Sequence, residues 1–231
     1  MTFIDPAAIA ESRSALIAAP PSLSETAYNE ILDLMLSGHL PAGTVLQERR
    51  LAEMMSISRT PVREALSRLE VESLVTRRNG RMLFVADVSV ENYISLLDMR
   101  RILEMETAAR ATGRFDPAIA ETIAQAIAEL VDLPSITPAQ HWSVDDLVHS
   151  SIAEAAGNPM VATTIRDLRR RTHIFNTARI PHRLVVGAGE HLTLIEAVMG
   201  GDPERSRRLM ADHIDNVRDA IIGFILGHRT S

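Results

Sequence analysis

Residues 57–70 read Ile57-Ser58-Arg59-Thr60-Pro61-Val62-Arg63-Glu64-Ala65-Leu66-Ser67-Arg68-Leu69-Glu70. Val62, Ala65, Leu66 and Leu69 recur at the spacing that lines one face of an α-helix, which leaves Arg59, Arg63 and Arg68 facing outward. Pro61 falls in the first turn, where a missing N–H does no harm. Just upstream, Ser56-Ile57-Ser58 makes a tight turn, and Glu48 to Met55 before it reads as a short helix. Further upstream, Ala27, Ile31, Leu34 and Met35 mark a helix that starts near Ser24 and stops at Gly38 and Pro41-Ala42-Gly43. Downstream, Leu74-Val75-Thr76 and Leu83-Phe84-Val85 flank Arg77-Arg78-Asn79-Gly80-Arg81, and Asn-Gly between two β-rich runs is a hairpin signal. Three helices, the last two joined by a short turn, followed by a basic hairpin make a winged helix-turn-helix. Its third helix fits a major groove about 12 Å wide, while the hairpin arginines reach the flanking backbone or minor groove.

The charge distribution agrees. The 231-residue chain has a formal net charge of −6 and contains no lysine, so all 24 basic residues are arginine. Between Arg49 and Arg81 eight arginines face four acids, Glu53, Glu64, Glu70 and Glu72, a window of about +4 inside an acidic protein. Binding to phosphates depends on the local face and not on the sum. Hydrophobic residues at 46% and charged residues at 23% are those of a globular protein. The absence of cysteine removes disulfides, thiolate nucleophiles and cysteine-ligated metals. With no run of about 20 apolar residues and no basic-then-apolar leader, the expected place is the cytoplasm.

From Asp87 onward the strand signals nearly vanish. Val90 to Thr112, Pro117 to Val131, Val144 to Ala156, Pro159 to about Thr177, Ala188 to Met199 and Pro203 to Gly227 read as amphipathic helices with Gly, Pro or Asn between them. The expected fold is mainly α. Residues 1–21 form a flexible arm, 22–87 a winged helix-turn-helix and 88–231 an all-helical bundle for effector binding and dimerisation.

The run Leu51-Ala52-Glu53 followed by residues 57–70 resembles the operator-binding segment of GntR-type bacterial transcriptional regulators. The second half resembles the FCD effector domain of the FadR subgroup, through Arg100-Arg101-Ile102-Leu103-Glu104, Asp145-Asp146-Leu147-Val148-His149 and Ala155-Ala156-Gly157-Asn158-Pro159. Together the two resemblances cover residues from about 22 to 228. They imply that Arg49, Arg59 and Arg63 contact DNA, with Ser58 and Thr60 on phosphates or base edges and Gly80 allowing close approach of the wing. Arginine bidentate to guanine is the commonest specific contact; the alternative for each arginine is a phosphate contact. The chain departs from the family at Ser56 and Ser73, where Gly is usual, and at Val148, where an aromatic often stands.

Asp145 and His149, four apart, share one face of a helix. His191 lies nine residues before Gly200 and His213 ten after Pro203. If Gly200-Gly201-Asp202-Pro203 reverses the chain, both histidines stand about 14 to 15 Å from the turn, level with each other. One carboxylate and three imidazoles suit Zn²⁺, or Ni²⁺, Mn²⁺ or Fe²⁺ with added waters. The same Asp, His, His, His pattern occurs in the metal-binding branch of FCD domains. His39, His141, His173, His182 and His228 read as surface or packing residues. Arg100 matches the family's Arg before Leu-Glu and would hold an effector carboxylate by a bidentate bond. Its alternative is an i, i+4 pair with Glu104, and Arg101 could exchange roles with it. Arg169 and Asn176 lie on the helix expected to border the pocket, with no spacing that singles either out.

The chain lacks a His-Glu-x-x-His helix, a Gly-x-Ser-x-Gly elbow and a phosphate-binding Gly loop, so a catalyst is not expected. The resulting expectation is a homodimeric repressor that reads an inverted repeat in double-stranded DNA and answers to a small organic acid held at a divalent metal. In one alternative the ion itself is the signal. In another, the chain is an enzyme that uses its winged helix only to dimerise.

Overall fold

The computed structural model describes residues 21–176 and 184–225; the arm up to residue 20, His182 and His228 lie outside them. Three helices open the chain, α1 (Leu23–Leu36), α2 (Glu48–Met55) and α3 (Arg59–Val71). Ser22 caps α1 by accepting the Glu25 N–H at 3.2 Å. Strands β1 (Val45–Leu46), β2 (Val75–Arg78) and β3 (Met82–Val85) form an antiparallel sheet in the order β1-β3-β2. The wing is the β2–β3 pair, in register Val75 to Val85 and Arg78 to Met82. At its tip Asn79 (φ 51°) and Gly80 (φ 69°) are both left-handed, as an Asn-Gly hairpin turn demands. β1 was not expected, since two residues are too short to show alternation. It pairs Val45 with Phe84 and Leu46 with Leu83. Val62, Leu66 and Leu69 of α3 bury against Ile31 and Met35 of α1 and Leu83 and Val85 of the wing.

Six further helices follow among the described residues: α4 (Val90–Ala111), α5 (Pro117–Val131), α6 (Pro138–Ala155), α7 (Pro159–Asn176), α8 (Leu184–Gly200) and α9 (Pro203–Ile225). Their core joins Tyr93 and Leu97 of α4 to Ile123, Ile152, Leu194, Val198, Ile214 and Ile221. Two starts differ from the expected ones. α6 begins six residues before Val144, because Thr137 and Gln140 form a reciprocal capping box with Pro138 in the first turn. Its first turns are mostly polar and so carried little apolar period. α8 begins before Ala188, running through Gly187, which lowers helix propensity and hid the start. No helix of the described residues is long and apolar enough to cross a membrane.

Ser56 and Ser73, which end α2 and α3, take φ values of 55° and 60°. Behind each, the following N–H reaches back over the last turn, Ile57 to the Ala52 carbonyl at 3.1 Å and Leu74 to that of Leu69 at 2.9 Å. The left-handed turn is thus kept without glycine, at a steric cost partly offset by the lower chain entropy of serine. Ser56→Gly and Ser73→Gly should each stabilise the protein by about 0.5–1 kcal/mol, roughly 2 °C in thermal melting. A lower melting temperature in both would show that the serines make up the strain elsewhere.

The two cores touch along α7. His173 donates from Nε2 to the Leu36 carbonyl at the end of α1 (2.9 Å), and Ile174 belongs to the core of the first three helices. Arg170 donates to the Tyr28 hydroxyl (3.3 Å), which donates in turn to Glu72 (2.6 Å). Trp142 of α6 packs on the same core, its ring 4.4 Å from that of His173.

Candidate functional site

The first site is the outward face of α3. Arg59 and Arg63 are exposed, and both turn toward one carboxylate, Glu48 at the start of α2. Arg59 Nη2 reaches Glu48 Oε2 at 3.1 Å, while Arg63 Nε and Nη2 reach it at 3.1–3.3 Å. The Arg63 bond, with Arg59 beside it, holds the Glu48 carboxyl below its usual range. Glu48 therefore sets the direction of two expected DNA contacts, and the sequence reading missed it. Arg49 pairs with Glu53 at 2.8 Å in the open. Ser58 is the residue before α3 and its side chain makes no capping bond, so its hydroxyl is available, as is that of exposed Thr60. At Gly80 a Cβ would meet nothing within 4 Å, so the protein itself does not require glycine for space at the tip.

The second site lies in the helical half. Asp145 and His149 of α6, His191 of α8 and His213 of α9 each offer a ligand atom, and these atoms lie within 4.8 Å of one another. The ring centroids of the three histidines are 4.6–5.2 Å apart. All three rings are buried, and Nε2 of His149 and of His191 has no hydrogen-bond partner among the described residues. Unmet buried ring nitrogens facing a carboxylate fit an ion better than they fit a packed core.

Two outer carboxylates fix the rings. Glu104 of α4 accepts from His149 Nδ1, and Glu190 of α8 accepts from His213 Nδ1 at 2.7 Å. A carboxylate on Nδ1 keeps the proton there and leaves Nε2 as the lone pair, the usual support for a ligating histidine. Burial opposes the charge on Glu104, but Arg100 and then His149 hold its carboxyl well below the ordinary range. Asp145 is likewise held low, against burial, first by Arg169. Burial, reinforced by the Arg169 charge, lowers His149 to about 4, and burial with the neighbouring His213 lowers His191 well below its ordinary value. Both rings are thus neutral at pH 7, the form that ligates.

Arg100 is buried and donates to Glu104 Oε1 at 2.6 Å and to Thr172 at 3.1 Å. The i, i+4 pair named as its alternative is therefore present, and Arg100 reaches the cluster through Glu104. Arg101 turns away to Asp215 (2.9 Å). Beside the cluster stands Arg169 instead, 1% exposed, with Nη2 on Asp145 Oδ2 at 2.9 Å and Nε on Asp146 at 3.3 Å. Its Nη1 has no hydrogen-bond partner among the described residues, and its guanidinium lies 5.3 Å from the centre of the Trp142 ring. Of the other histidines, His39 is exposed, while burial lowers the half-buried His141.

His173 supplies a pH dependence. Burial lowers it to about 4, against the bond to Leu36. With a folded value below the unfolded one of about 6.5, unfolding takes up a proton as the pH falls. The stability given by the neutral ring is complete above about pH 6.5 and is lost between 6.5 and 4. Metal-free protein should melt progressively lower across that window, with the buried His149 and His191 taking up further protons. A His173→Asn variant should flatten the profile by about one proton; an unchanged slope would remove His173 from the account.

Comparison with known proteins bears on both sites. Residues 23–85 match the model of bacterial regulatory proteins of the gntR family, and residues 95–216 match the FCD domain. The chain is 27% identical over 221 residues to the Uxu operon transcriptional regulator of Escherichia coli, covering 84% of each. It is 25% identical over 217 residues to the HTH-type transcriptional regulator LutR of Bacillus subtilis, covering 83% of this chain and 97% of that one. Among solved structures, McbR/YncC of E. coli superposes with a TM-score of 0.72 at 23% identity, over 88% of this chain and 98% of the other.

Proposed function

The chain belongs to the gntR family of bacterial regulatory proteins with an FCD domain, DNA-binding transcriptional regulators and not enzymes, and from that premise we propose a metal-dependent repressor answering to a small carboxylate. The observation that carries the metal half is the convergence of one carboxylate and three buried imidazoles from three helices, with Nε2 of His149 and of His191 unmet among the described residues. A divalent ion bound there, Zn²⁺ among the best suited, would supply a Lewis-acidic position for a carboxylate oxygen. Asp145, His149, His191 and His213 would hold it, Glu104 and Glu190 orient two of the rings, and Arg169, bound to Asp145 through Nη2, offers its unmet Nη1 to the effector's remaining oxygen. Arg100, assigned to the effector on the resemblance, takes part by holding Glu104.

Two protomers related by a two-fold would present α3 and the wing to an inverted repeat in cytoplasmic DNA. Arg49, Arg59, Arg63, Ser58, Thr60 and Gly80 form the contacting set. An effector moves the equilibrium only through different affinity for two arrangements. Here α4 and α7 border the site, and α7 also grips α1 and Tyr28, so its seating is the coordinate that occupancy would bias. A second reading, in which the ion alone is the signal, is favoured by the count of four protein donors, the number that a closed zinc site would take.

Elemental analysis by mass spectrometry is the first test. Wild type should carry about one equivalent of divalent metal, and His149→Ala and His213→Ala none. A thermal-shift screen should then find a carboxylate that stabilises metal-loaded wild type and not an Arg169→Met variant that retains its metal. Metal-free protein that cannot be reconstituted would sink the proposal. Metal that alters DNA affinity with no carboxylate response would leave the second reading.

A further inference from the structure

A separate cleft of about 510 Å³ opens between the wing and the start of α4, bordered by Thr76, Arg77, Arg78, Asn92 and Arg171. Its arginines are not equivalent. Arg77 is engaged, with Nε and Nη2 on Glu70 at 3.1 and 2.7 Å. Arg78 lies over the Phe84 ring, 4.9 Å from its centre, and has no carboxylate partner among the described residues. Arg171 comes from α7 in the other half of the molecule. Its Nε is buried and has no hydrogen-bond partner among the described residues.

A buried guanidinium N–H left unmet is unfavourable, and folded chains keep few of them. An acceptor arriving from outside removes the deficit. The other acid on the cleft wall, Asp87, is exposed and makes no salt bridge among the described residues, so two uncommitted arginines stand against one uncommitted carboxylate. The Asn92 amide and the Thr76 hydroxyl add neutral donors from α4 and β2. Separate donors on several sides of a small cleft suit an oxyanion with several acceptor oxygens. Arg171 lies two residues, about 200° of helix, beyond Arg169, so the cleft and the metal cluster occupy different faces of α7.

We infer that this cleft binds an oxyanion of the phosphate class, through Arg171, Arg78 and Asn92, at the junction of the DNA-binding and helical halves. The phosphate is either that of a free small molecule or that of the DNA backbone, since the wing carries one wall. The inference does not rest on the metal site.

The test uses the full-length protein with inorganic phosphate and then pyrophosphate, against sodium chloride of equal ionic strength. A free-anion site gives wild type an upward shift in melting temperature of about 5 °C near saturation. Arg171→Met gives none. Without added anion this variant should melt no lower than wild type, since it loses an unmet donor and keeps an apolar stem, so a lost response is not lost folding. A second arm titrates a duplex selected from a random pool across salt concentrations. If the DNA backbone fills the cleft, free phosphate has no effect and Arg171→Met lowers the salt slope by about one unit per protomer bound, about two for the two-fold complex, at unchanged base preference. No phosphate shift in wild type together with an unchanged slope in the variant overturns the inference.

Discussion

Glu104→Ala should cost about 3–5 kcal/mol, roughly 10 °C in thermal melting, the largest stability loss expected from one side chain in this protein. The carboxylate is 1% exposed and holds Arg100 Nε on one oxygen and His149 Nδ1 on the other. Its removal leaves a guanidinium in the core with only the Thr172 hydroxyl for company. It also frees His149 to place its proton on Nε2, so metal affinity should fall by about 10- to 100-fold. Glu104→Gln separates the two effects: the amide keeps the volume and an acceptor for one neighbour, and should recover much of the stability and little of the metal affinity. Calorimetry and metal titration on both variants decide it. A Glu104→Ala protein as stable as wild type would mean that Arg100 finds another anion.

Arg63→Ala should weaken binding to a specific duplex by roughly 10- to 100-fold per half-site if the guanidinium reads a base, and the loss counts twice in a two-fold complex. Glu48 holds this arginine by three donor contacts, so it starts from a fixed direction. Affinity measured on the selected duplex and on one altered at the contacted base distinguishes its roles. Lost affinity with retained preference, and a salt slope lower by about one per half-site, about two for the two-fold complex, assigns Arg63 to a phosphate. Unchanged affinity on both duplexes removes it from the interface.

The helix-turn-helix was legible because its signals are local. The apolar spacing of Val62, Ala65, Leu66 and Leu69, the proline at 61 and the Asn-Gly tip each act within a few residues, and each structural counterpart is where they put it. That Asp145, His149, His191 and His213 come together was legible in part for a similar reason, since four-residue spacing and equal height across a turn are one-dimensional facts. Nothing in one dimension sets the rotation of α4 and α7 about their axes. That rotation brings Glu104 to His149 and Arg169 to Asp145, and it directs Arg100 to Glu104 and Thr172. Glu48 was missed because its partners lie 11 and 15 residues away across a turn. The start of α6 depended on a capping box in a stretch with little apolar period.

On the ribosome the chain folds in the order in which it is made. The core of the first three helices takes in Ile174, and the last carbonyl of α1 is satisfied by His173. The wing ends at Val85, so the chain must grow by about 90 residues before the side chains that close its first core exist. At 5–20 residues per second that is a wait of roughly 5 to 20 s. During it the arginine-bearing half can form its helices and wing, but a carbonyl and an apolar patch on α1 stay open to water. The first core is therefore closed only when the helix beside the Asp145, His149, His191 and His213 cluster has been made.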